Sequence, residues 1–202
     1  MLPDEERARD NALAIAFQEG DRQAFAELIE RHQDRLYRVA YRVTGDADDA
    51  LDAVQEAFIK INRAIGDWDG RASFGSWAYR IATNVAIDQV RRYGRDRKAR
   101  ETILKRHGQS LVEAPPEPDP LEQEDEARLL ERVKAAIEEL PPGQRAIVAL
   151  RHYEGLSLAE IADIRGCAIG TVKSTLHQAF RKLKTRLSAE VADARERVSG
   201  TC

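Results

Sequence analysis

The densest group of side chains that could do chemistry is a run of carboxylates in the first quarter of the chain. Asp48, Asp49 and Asp52 have DDxxD spacing, and Gln55 and Glu56 follow within a turn. At 100° per residue these side chains share about one third of a helix circumference. Carboxylates on one helix face can bind Mg²⁺ and, through it, a diphosphate. They can also contact a basic protein partner, or form a charged face in solvent.

The magnesium alternative corresponds to the DDxxD pattern of helical isoprenoid synthases. Those enzymes have a larger fold, and this chain of 202 residues has no second aspartate-rich helix that could complete a metal site. Self-repulsion across so dense an acidic face favours a basic partner instead. We therefore expect no metal, no cofactor and no catalytic centre here, and we interpret the acidic face as a protein-binding surface.

A second group of residues combines aromatic rings with cations. Its members lie in the loop WDGRA and the helix after it, and they are Trp68, Phe74, Trp77, Tyr79, Arg71, Arg80, Asn84, Arg91 and Arg92. This mixture is typical of single-stranded DNA binding, because bases stack on rings while arginines contact phosphates. Phe74, Trp77 and Ile81 share a helical stripe, which indicates core packing. Trp68 and Arg71 lie in the loop, where exposure is more common.

The segment GLSLAEIADIRGCAIGTVKSTLHQAFRKLKTRL predicts a helix-turn-helix. Ser157 and Glu160 have capping-box spacing at the start of a first helix, and Gly166 permits the tight turn. The apolar stripe of the second helix comprises Val172, Leu176, Ala179, Phe180, Leu183 and Leu187, and its opposite face Lys173, Ser174, His177, Gln178, Arg181 and Lys184. Such a helix enters the major groove, where its polar face contacts bases and phosphates. A helical hairpin in a core would share the glycine but not the acid-free basic face.

Charge is segregated along the chain, although the formal net charge is only −3. Residues 71–106 hold ten Lys or Arg against three acids, and residues 171–187 hold five against none. Residues 113–126 hold seven acids, four prolines and no base. This composition predicts an extended acidic linker between two basic units, because the prolines interrupt helices and little apolar surface is available to bury.

Helical periodicity runs through the chain without a strand pattern, so the sequence predicts an all-α fold. We expect one helix from an Asp21 cap to Gly45, a second from Asp46 to Gly66, and a third beginning at Ser73. Their predicted core stripes are Phe25, Leu28, Ile29, Leu36, Val39, Ala40 and Val43; Leu51, Val54, Phe58, Ile61 and Ile65; and Phe74, Trp77, Ile81, Val85 and Val90. Helices around 129–140 and 144–153, separated by a Pro-Pro-Gly break, precede the helix-turn-helix.

Composition also limits where the protein works. No apolar run approaches the ~20 residues that cross a bilayer, and the charged start MLPDEERARDN lacks the apolar stretch of a signal peptide. We therefore expect a cytoplasmic protein without membrane insertion. Cys167 and Cys202 have no metal-ligand spacing, which favours a buried thiol and a tail thiol.

These motifs together resemble the extracytoplasmic-function (ECF, group IV) sigma factors of the sigma-70 family. GDADDALDAVQEAFIKI resembles their polymerase-binding helix, FGSWAYRIATNVAIDQVRR their promoter-melting helix, and LPPGQRAIVALRHYEGLSLAEIADIRGCAIGTVKSTLHQAFRKL their downstream domain. The resemblance implies two small helical domains, a region 2 bundle and a region 4 helix-turn-helix, joined by a flexible acidic linker. The expected boundaries are 1–100 for region 2, 101–127 for the linker, 128–190 for region 4 and 191–202 for a tail.

The resemblance also implies a function and a set of contacts. Core RNA polymerase, promoter DNA and an anti-sigma factor are the implied partners of a non-enzymatic protein that directs promoter recognition, melting and initiation. The implied polymerase contacts are Asp49, Asp52, Gln55 and Glu56. The implied DNA contacts are Trp68, Asp69, Arg71, Ser73, Arg80, Asn84, Arg91 and Arg92 near the minus-ten element, and Thr171, Lys173, Ser174, His177, Gln178 and Arg181 at the minus-thirty-five element. Arg165, Thr175 and Gln178 depart from residues that are usual in the family.

One other function fits part of the sequence. A free-standing helix-turn-helix regulator with an unrelated helical sensor domain would explain residues 141–187. It would leave the acidic face and the aromatic, basic third helix without a purpose.

Overall fold

The computed structural model describes residues 4–107 and 132–199, and the side chains of residues 5–92 and 132–188. Within these ranges all regular elements are helical, which confirms the all-α prediction. The helices are α1 (Asp4–Gln18), α2 (Arg22–Thr44), α3 (Ala47–Ala64), α4 (Phe74–His107), α5 (residues 132–138), α6 (Pro142–His152), α7 (Leu158–Arg165) and α8 (Ile169–Ser199), with a 3-10 turn at Ile65–Asp67. Residues 108–127 of the predicted linker, which include its acidic stretch, and Cys202 lie outside the described residues. Residues 101–107, which were predicted to begin the linker, belong to α4.

The ends of α2 and α3 follow from single capping residues. The Asp21 carboxylate accepts a hydrogen bond from the backbone N–H of Gln23, and the Asp46 carboxylate accepts from two backbone N–H groups of α3. Gly45 ends α2 in the left-handed region, at φ +81°. The aspartate caps satisfy N–H groups that a helix terminus leaves without partners, so the predicted ends of α2 and the predicted start of α3 are confirmed. The predicted end of α3 at Gly66 was wrong, because α3 ends at Ala64 and a 3-10 turn continues through Gly66 to Asp67.

Helices α2, α3 and α4 share one core, as predicted. The buried members are Ala24, Leu28, Leu36, Val39, Ala40, Val43, Ala50, Ala53, Val54, Ala57, Phe58, Ile61, Ile65, Phe74, Ala78, Ala82, Val85, Ala86 and Ile87. Three alanines of α3 carry its contact, because small side chains let neighbouring backbones approach closely. Leu51, which was predicted to lie in this stripe, is 50% exposed. The prediction for Leu51 was wrong because α3 turns Ala50, Ala53 and Ala57 toward the core, and Leu51 lies outside that face.

Helix α1 was not predicted from the sequence, yet it fastens the other elements. The buried Asp10 carboxylate accepts hydrogen bonds from Arg31 Nε (2.6 Å) and His32 Nε2 (2.9 Å) of α2. Asn11 Oδ1 accepts from the backbone N–H of Phe74, the first residue of α4 (2.9 Å). Helix α1 therefore fixes where α4 begins relative to α2.

The second domain consists of α5 to α8 around a smaller core. Its buried apolar side chains include Leu140, Ile147, Leu150, Ile161, Ile164, Val172, Leu176 and Ala179. The Pro-Pro-Gly sequence was predicted as a break between helices, but it forms the start of α6. Pro141 is the N-cap of this helix and Pro142 is its first residue. Proline suits that position because its fixed φ is helical and the first N–H of a helix has no intrahelical partner.

The two domains pack against each other. Helix α6 contacts α2 and α4, and α7 contacts α4, so the buried apolar residues form one continuous cluster. At the far end of this contact, the Arg42 guanidinium lies 3.3 Å from the ring centroid of Tyr153. Cations over aromatic faces are attracted by the ring quadrupole.

Substituting Asp10 tests how strongly α1 is fastened. His32 and Arg31 lower the pKa of Asp10 below its ordinary 3.8, although burial alone would raise it. We expect Asp10→Asn to lower the free energy of unfolding by about 2 kcal/mol at pH 7, because it weakens two charge-assisted hydrogen bonds.

The effect should also depend on pH. A lowered folded pKa means that the stabilisation is present above pH 3.8 and is lost as the pH falls through the folded value. Urea denaturation at pH 7 and pH 3.5 measures both, with the exposed Asp34→Asn as the control. An equal difference between wild type and Asp10→Asn at both pH values would contradict this assignment.

Candidate polymerase and nucleic-acid interfaces

The acidic face of α3 comprises Asp48, Asp49, Asp52, Gln55 and Glu56, and it points away from the core. Asp49 and Glu56 are half-buried and the other three are exposed. The pKa of Asp49 is raised, first by burial and then by the carboxylates of Asp46, Asp52 and Asp48. This repulsion marks a surface on which an approaching cation is favoured.

An apolar groove borders the acidic face. It has a volume of about 640 Å³ between α2 and α3, and Gln55 belongs both to its lining and to the acidic face. Leu51 and Ile59 extend from it and are each about half exposed. The exposed leucine that the sequence predicted to be core is therefore part of a surface next to the carboxylates.

The loop after α3 is held in shape from within. Trp68 is only 8% exposed, its Nε1–H donates to the Ala72 carbonyl (3.1 Å), and its ring packs edge-on to Phe74. The expectation that Trp68 is exposed was wrong, because the loop folds back over the core and the indole closes it. Gln18 of α1 donates to the Trp68 carbonyl (2.9 Å). Arg71 is exposed, as predicted, and its backbone N–H donates to Asp69 Oδ1 (3.1 Å).

Helix α4 presents its polar residues along several turns. Arg80, Asn84, Arg91 and Arg92 are exposed, whereas Ser73 is half-buried at the start of the helix. Arg80 and Arg91 are roughly 16 Å apart along the axis at 1.5 Å per residue. Asn84 Oδ1 accepts a hydrogen bond from Arg165 Nη1 (2.9 Å), so the second domain contacts this exposed position. The predicted strand-contacting residues thus form an extended track that α7 touches at one point.

The helix-turn-helix has the predicted joints. The Ser157 hydroxyl accepts from the Glu160 backbone N–H and the Glu160 carboxylate accepts from the Ser157 backbone N–H, which completes a capping box. Gly166 lies in the left-handed region, at φ +60°, and ends α7. Ile161 and Ala162 are buried, as expected. The turn therefore sets the angle between α7 and α8.

The two faces of α8 are divided largely as predicted. Val172, Leu176 and Ala179 are buried. The outer face is exposed and comprises Thr171, Lys173, Ser174, His177, Gln178, Arg181 and Lys184. Phe180 is an exception, since it is 43% exposed and packs edge-on to His152 at 5.1 Å. The prediction that Phe180 is core was wrong, because its ring packs against the exposed His152 of α6 and stays partly in solvent.

A stripe of arginines on α2 was missed in the sequence. Arg31, Arg35, Arg38 and Arg42 are spaced by four, three and four residues, so they lie on one face of the helix. The first two contact acids of α1, and the last two contact Glu154 and Tyr153 of the second domain. The spacing of these arginines is visible in the sequence. Their contacts are not, because acids elsewhere on α2 make the helix resemble an ordinary solvated surface.

In the parts of the chain with described side chains, no three His, Cys, Asp or Glu residues converge as a metal-binding group. The DDxxD carboxylates are thus not part of such a group. None of the described helices combines the length and apolar character needed to span a bilayer.

Comparison with known proteins identifies the family. The Sigma-70 region 2 family matches residues 28–96, and the Sigma-70 region 4 family matches residues 130–183. The chain is 36% identical over 187 residues to the ECF RNA polymerase sigma-E factor of Escherichia coli K12, covering 90% of this chain and 96% of that protein. This chain belongs to the ECF sigma factors.

Other relatives of this ECF sigma factor are also similar. It is 38% identical over 162 residues to the ECF RNA polymerase sigma factor SigE of Mycolicibacterium smegmatis, and the match covers 80% of this chain but 61% of that longer protein. The sigma factor RpoE of Bartonella quintana, solved in complex with the anti-sigma factor NepR, has a TM-score of 0.58 at 25% identity, covering 81% of this chain and 96% of that one. Both sigma families in one chain, in order, disfavour a free-standing helix-turn-helix regulator.

Substitution of two glycines tests the turn between α7 and α8 of this sigma factor. Gly166→Ala should lower the free energy of unfolding by about 1 kcal/mol, because the left-handed backbone strains a β-carbon. No atom lies within 4 Å of the added carbon, so backbone strain is the only cost.

Gly170, in the first turn of α8, also has open space and has no positive φ. Gly170→Ala should therefore stabilise the protein by about 0.5 kcal/mol, since alanine restricts the unfolded chain. Urea denaturation followed by circular dichroism measures both variants. Changes of the same sign in the two would contradict the assigned turn.

Proposed function

We propose that this ECF sigma factor binds core RNA polymerase through the acidic face of α3 and holds promoter DNA with α4 and α8. The observation that supports this most is the division of charge between surfaces: exposed carboxylates lie on α3, and an acid-free cationic face lies on α8. One chain can then attach to a protein and to DNA at the same time, because the two surfaces attract opposite charges.

The polymerase contact is assigned to Asp49, Asp52, Gln55 and Glu56. The raised pKa of Asp49 reflects burial and carboxylate repulsion, and a basic partner would relieve that repulsion. The groove between α2 and α3 supplies apolar area directly beside the carboxylates. A polymerase surface that combines cations with apolar side chains therefore fits this side of the domain, with charge guiding association and the groove adding buried area.

The minus-thirty-five contact is assigned to the exposed face of α8. Its proposed DNA-contacting residues are Thr171, Lys173, Ser174, His177, Gln178 and Arg181. Such a helix enters the major groove with its N-terminal part nearest the bases. Thr175 is half-buried, and Gln178 lies 3.4 Å from Gln144 of α6. Many members of the family carry arginines at these two positions. We therefore expect the minus-thirty-five preference of this protein to differ from theirs.

The minus-ten contact is assigned to the loop after α3 and to α4. Asp69, Arg71, Arg80, Asn84, Arg91 and Arg92 are exposed and would follow the melted strand, with Ser73 at the start of α4. The buried Trp68 acts here as a positioning residue, because its hydrogen bond to Ala72 closes the loop. A preformed loop can hold a flipped base without first ordering itself.

The remaining assignments follow from the same function. The protein is not an enzyme, since the nucleotide chemistry belongs to the polymerase, and it works in the cytoplasm with the polymerase and the chromosome. An anti-sigma factor is a further proposed partner, which the likeness to a sigma factor solved with one supports. The proposed boundaries remain 1–100, 101–127, 128–190 and 191–202.

Reversing charge on α3 tests the polymerase contact. Asp52→Arg with Glu56→Arg should abolish association with core polymerase, because two cations would face a basic partner. Glu56 pairs with Lys60 at the surface, so the fold loses little. Pull-down with core polymerase and multiple-round transcription measure the loss.

The matched control carries the same change in net charge at exposed acids away from α3. Glu19→Arg with Asp163→Arg should keep polymerase association. Equal association of both double variants, at unchanged helicity, would contradict the assigned face. If wild-type protein itself supports no transcription with core polymerase and binds duplex DNA specifically alone, the proposed function is wrong.

Removing one cation tests the face of α8. Lys173→Ala in the assembled holoenzyme should weaken promoter binding and reduce the slope of log affinity against log salt by about 0.9, the value for one phosphate contact. Lys182 lies nine residues further, on the opposite side of the helix, and faces α5. Lys182→Ala should leave the slope unchanged. A slope that Lys173→Ala does not change would remove Lys173 from the interface.

A further inference from the structure

A polar cleft lies between the two domains, and its charges are sorted by domain. The first domain contributes Arg7, Arg35, Arg38, Ser73, Gly75, Ser76 and Tyr79 to the lining, and the second contributes Tyr153, Glu154, Leu156 and Glu160. The cations of this lining thus come from one domain and the acids from the other. We call the first-domain side, with its three arginines and three hydroxyl groups, the arginine cleft.

Glu154 enters the arginine cleft most deeply. Its side chain is 7% exposed, and Oε2 accepts a hydrogen bond from the Tyr79 hydroxyl (2.8 Å). Oε1 lies 3.5 Å from Arg38 Nε, yet it accepts no hydrogen bond from the described residues. A buried carboxylate oxygen without a hydrogen bond is costly, so Glu154 does not satisfy the donors of the site as fully as a phosphate could.

Glu160 occupies the other side of the cleft. It forms an ion pair with Arg7 while it also caps α7 through Ser157. Burial opposes its charge, but these hydrogen bonds and the arginine outweigh burial and lower the pKa of Glu160. The carboxylate is therefore held ionised in the cleft. Arg7 of α1 and Arg38 of α2 meet the second domain through these two acids.

The arginine cleft has the chemistry of a phosphate site. Guanidinium groups and hydroxyls are the usual donors to phosphodiester oxygens, and they lie here beside the N-terminal end of α4, where backbone N–H groups favour anions. The cleft adjoins the loop and the first turns of α4, to which the melted minus-ten strand is assigned. Ser73 belongs both to this lining and to the assigned minus-ten contacts, and Tyr79 of the lining directly precedes Arg80.

We propose that the arginine cleft binds a backbone phosphate of single-stranded promoter DNA, and that Glu154 and Glu160 take the place of that phosphate in the closed arrangement. This inference rests on the proposed function. It adds Arg7, Arg35 and Arg38 to the strand-binding surface and makes strand binding compete with domain closure. The Arg165–Asn84 hydrogen bond acts in the same direction, because it engages another strand-contacting side chain from α7.

Isosteric substitution of the two acids tests the competition. Glu154→Gln with Glu160→Gln keeps side-chain shape, and glutamine preserves the capping box. Fluorescence anisotropy with a fluorescein-labelled oligothymidine, using the full chain without polymerase, should show affinity about tenfold above wild type, because closure no longer reduces the binding-competent fraction. The control, Glu19→Gln with Asp163→Asn, has the same net charge and should bind like wild type. Equal affinities of the two double variants would overturn the proposal.

A second variant separates a phosphate site from simple opening of the domains. Adding Arg7→Gln and Arg38→Gln to the two acid substitutions should abolish the gain in affinity, while small-angle scattering shows the same expanded shape for both open variants. A gain that persists without the arginines would overturn the phosphate site. Adding them should also reduce the slope of log affinity against log salt by about 0.7, the value for one phosphate contact on a single strand.

Failure here is distinguishable from failure of the proposed function. If wild-type protein transcribes with core polymerase while the acid substitutions leave oligothymidine affinity unchanged, only the cleft is wrongly assigned. If wild-type protein neither binds core polymerase nor supports transcription, the proposed function itself is wrong. Helicity of every variant is matched to wild type by circular dichroism before the affinities are compared.

Discussion

Charge of one sign concentrated on one surface repels itself, so each such surface of this molecule depends on a counter-charge from another element or another molecule. On α3 the repulsion is retained, and it raises the pKa of Asp49 together with burial. On α2 it is neutralised internally, where the arginine stripe meets acids of α1 and of the second domain. The acidic face of α3 and the outer face of α8 each concentrate charge of one sign, and they are the surfaces proposed to meet polymerase and duplex DNA.

Separation of charge between helix faces explains why a protein with a net charge of −3 can bind DNA. Cations and anions are not mixed over its surface but are separated by helix face, and fields at a contact depend on the nearest charges because salt screens the distant ones. Helix α1 fixes the relative positions of the helices that carry these faces. Through Asp10, Asn11 and Gln18 it holds α2, the start of α4 and the loop at Trp68 in one rigid unit.

Domain contact adds a second use of the arginines. In the closed arrangement Glu154 and Glu160 occupy the arginine cleft, and Arg165 binds Asn84. The arginine of each ion pair, Arg7 or Arg38, stays partly exposed to solvent, which weakens the pair, so the closed arrangement is one that a stronger partner can replace. Arg165, which departs from the apolar residue usual before the turn glycine, has its side chain in this contact. The residue at which this chain departs from the family pattern therefore contributes to the contact between the two domains.

The sequence by itself determined the helices after α1, their N-terminal caps at Asp21, Asp46 and Ser157, and the outward faces of α3 and α8. Asp21, Asp46 and Ser157 act on N–H groups within one turn, and periodicity records which face is polar, so both signals are local. Only the tertiary structure decided that Trp68 is buried, that Leu51 and Phe180 are exposed, and that α1 fastens the bundle. It also decided that Arg7 meets Glu160, 153 residues away along the chain. Those outcomes depend on which surfaces come together, and helical periodicity assigns a face to each residue without naming the element that covers it.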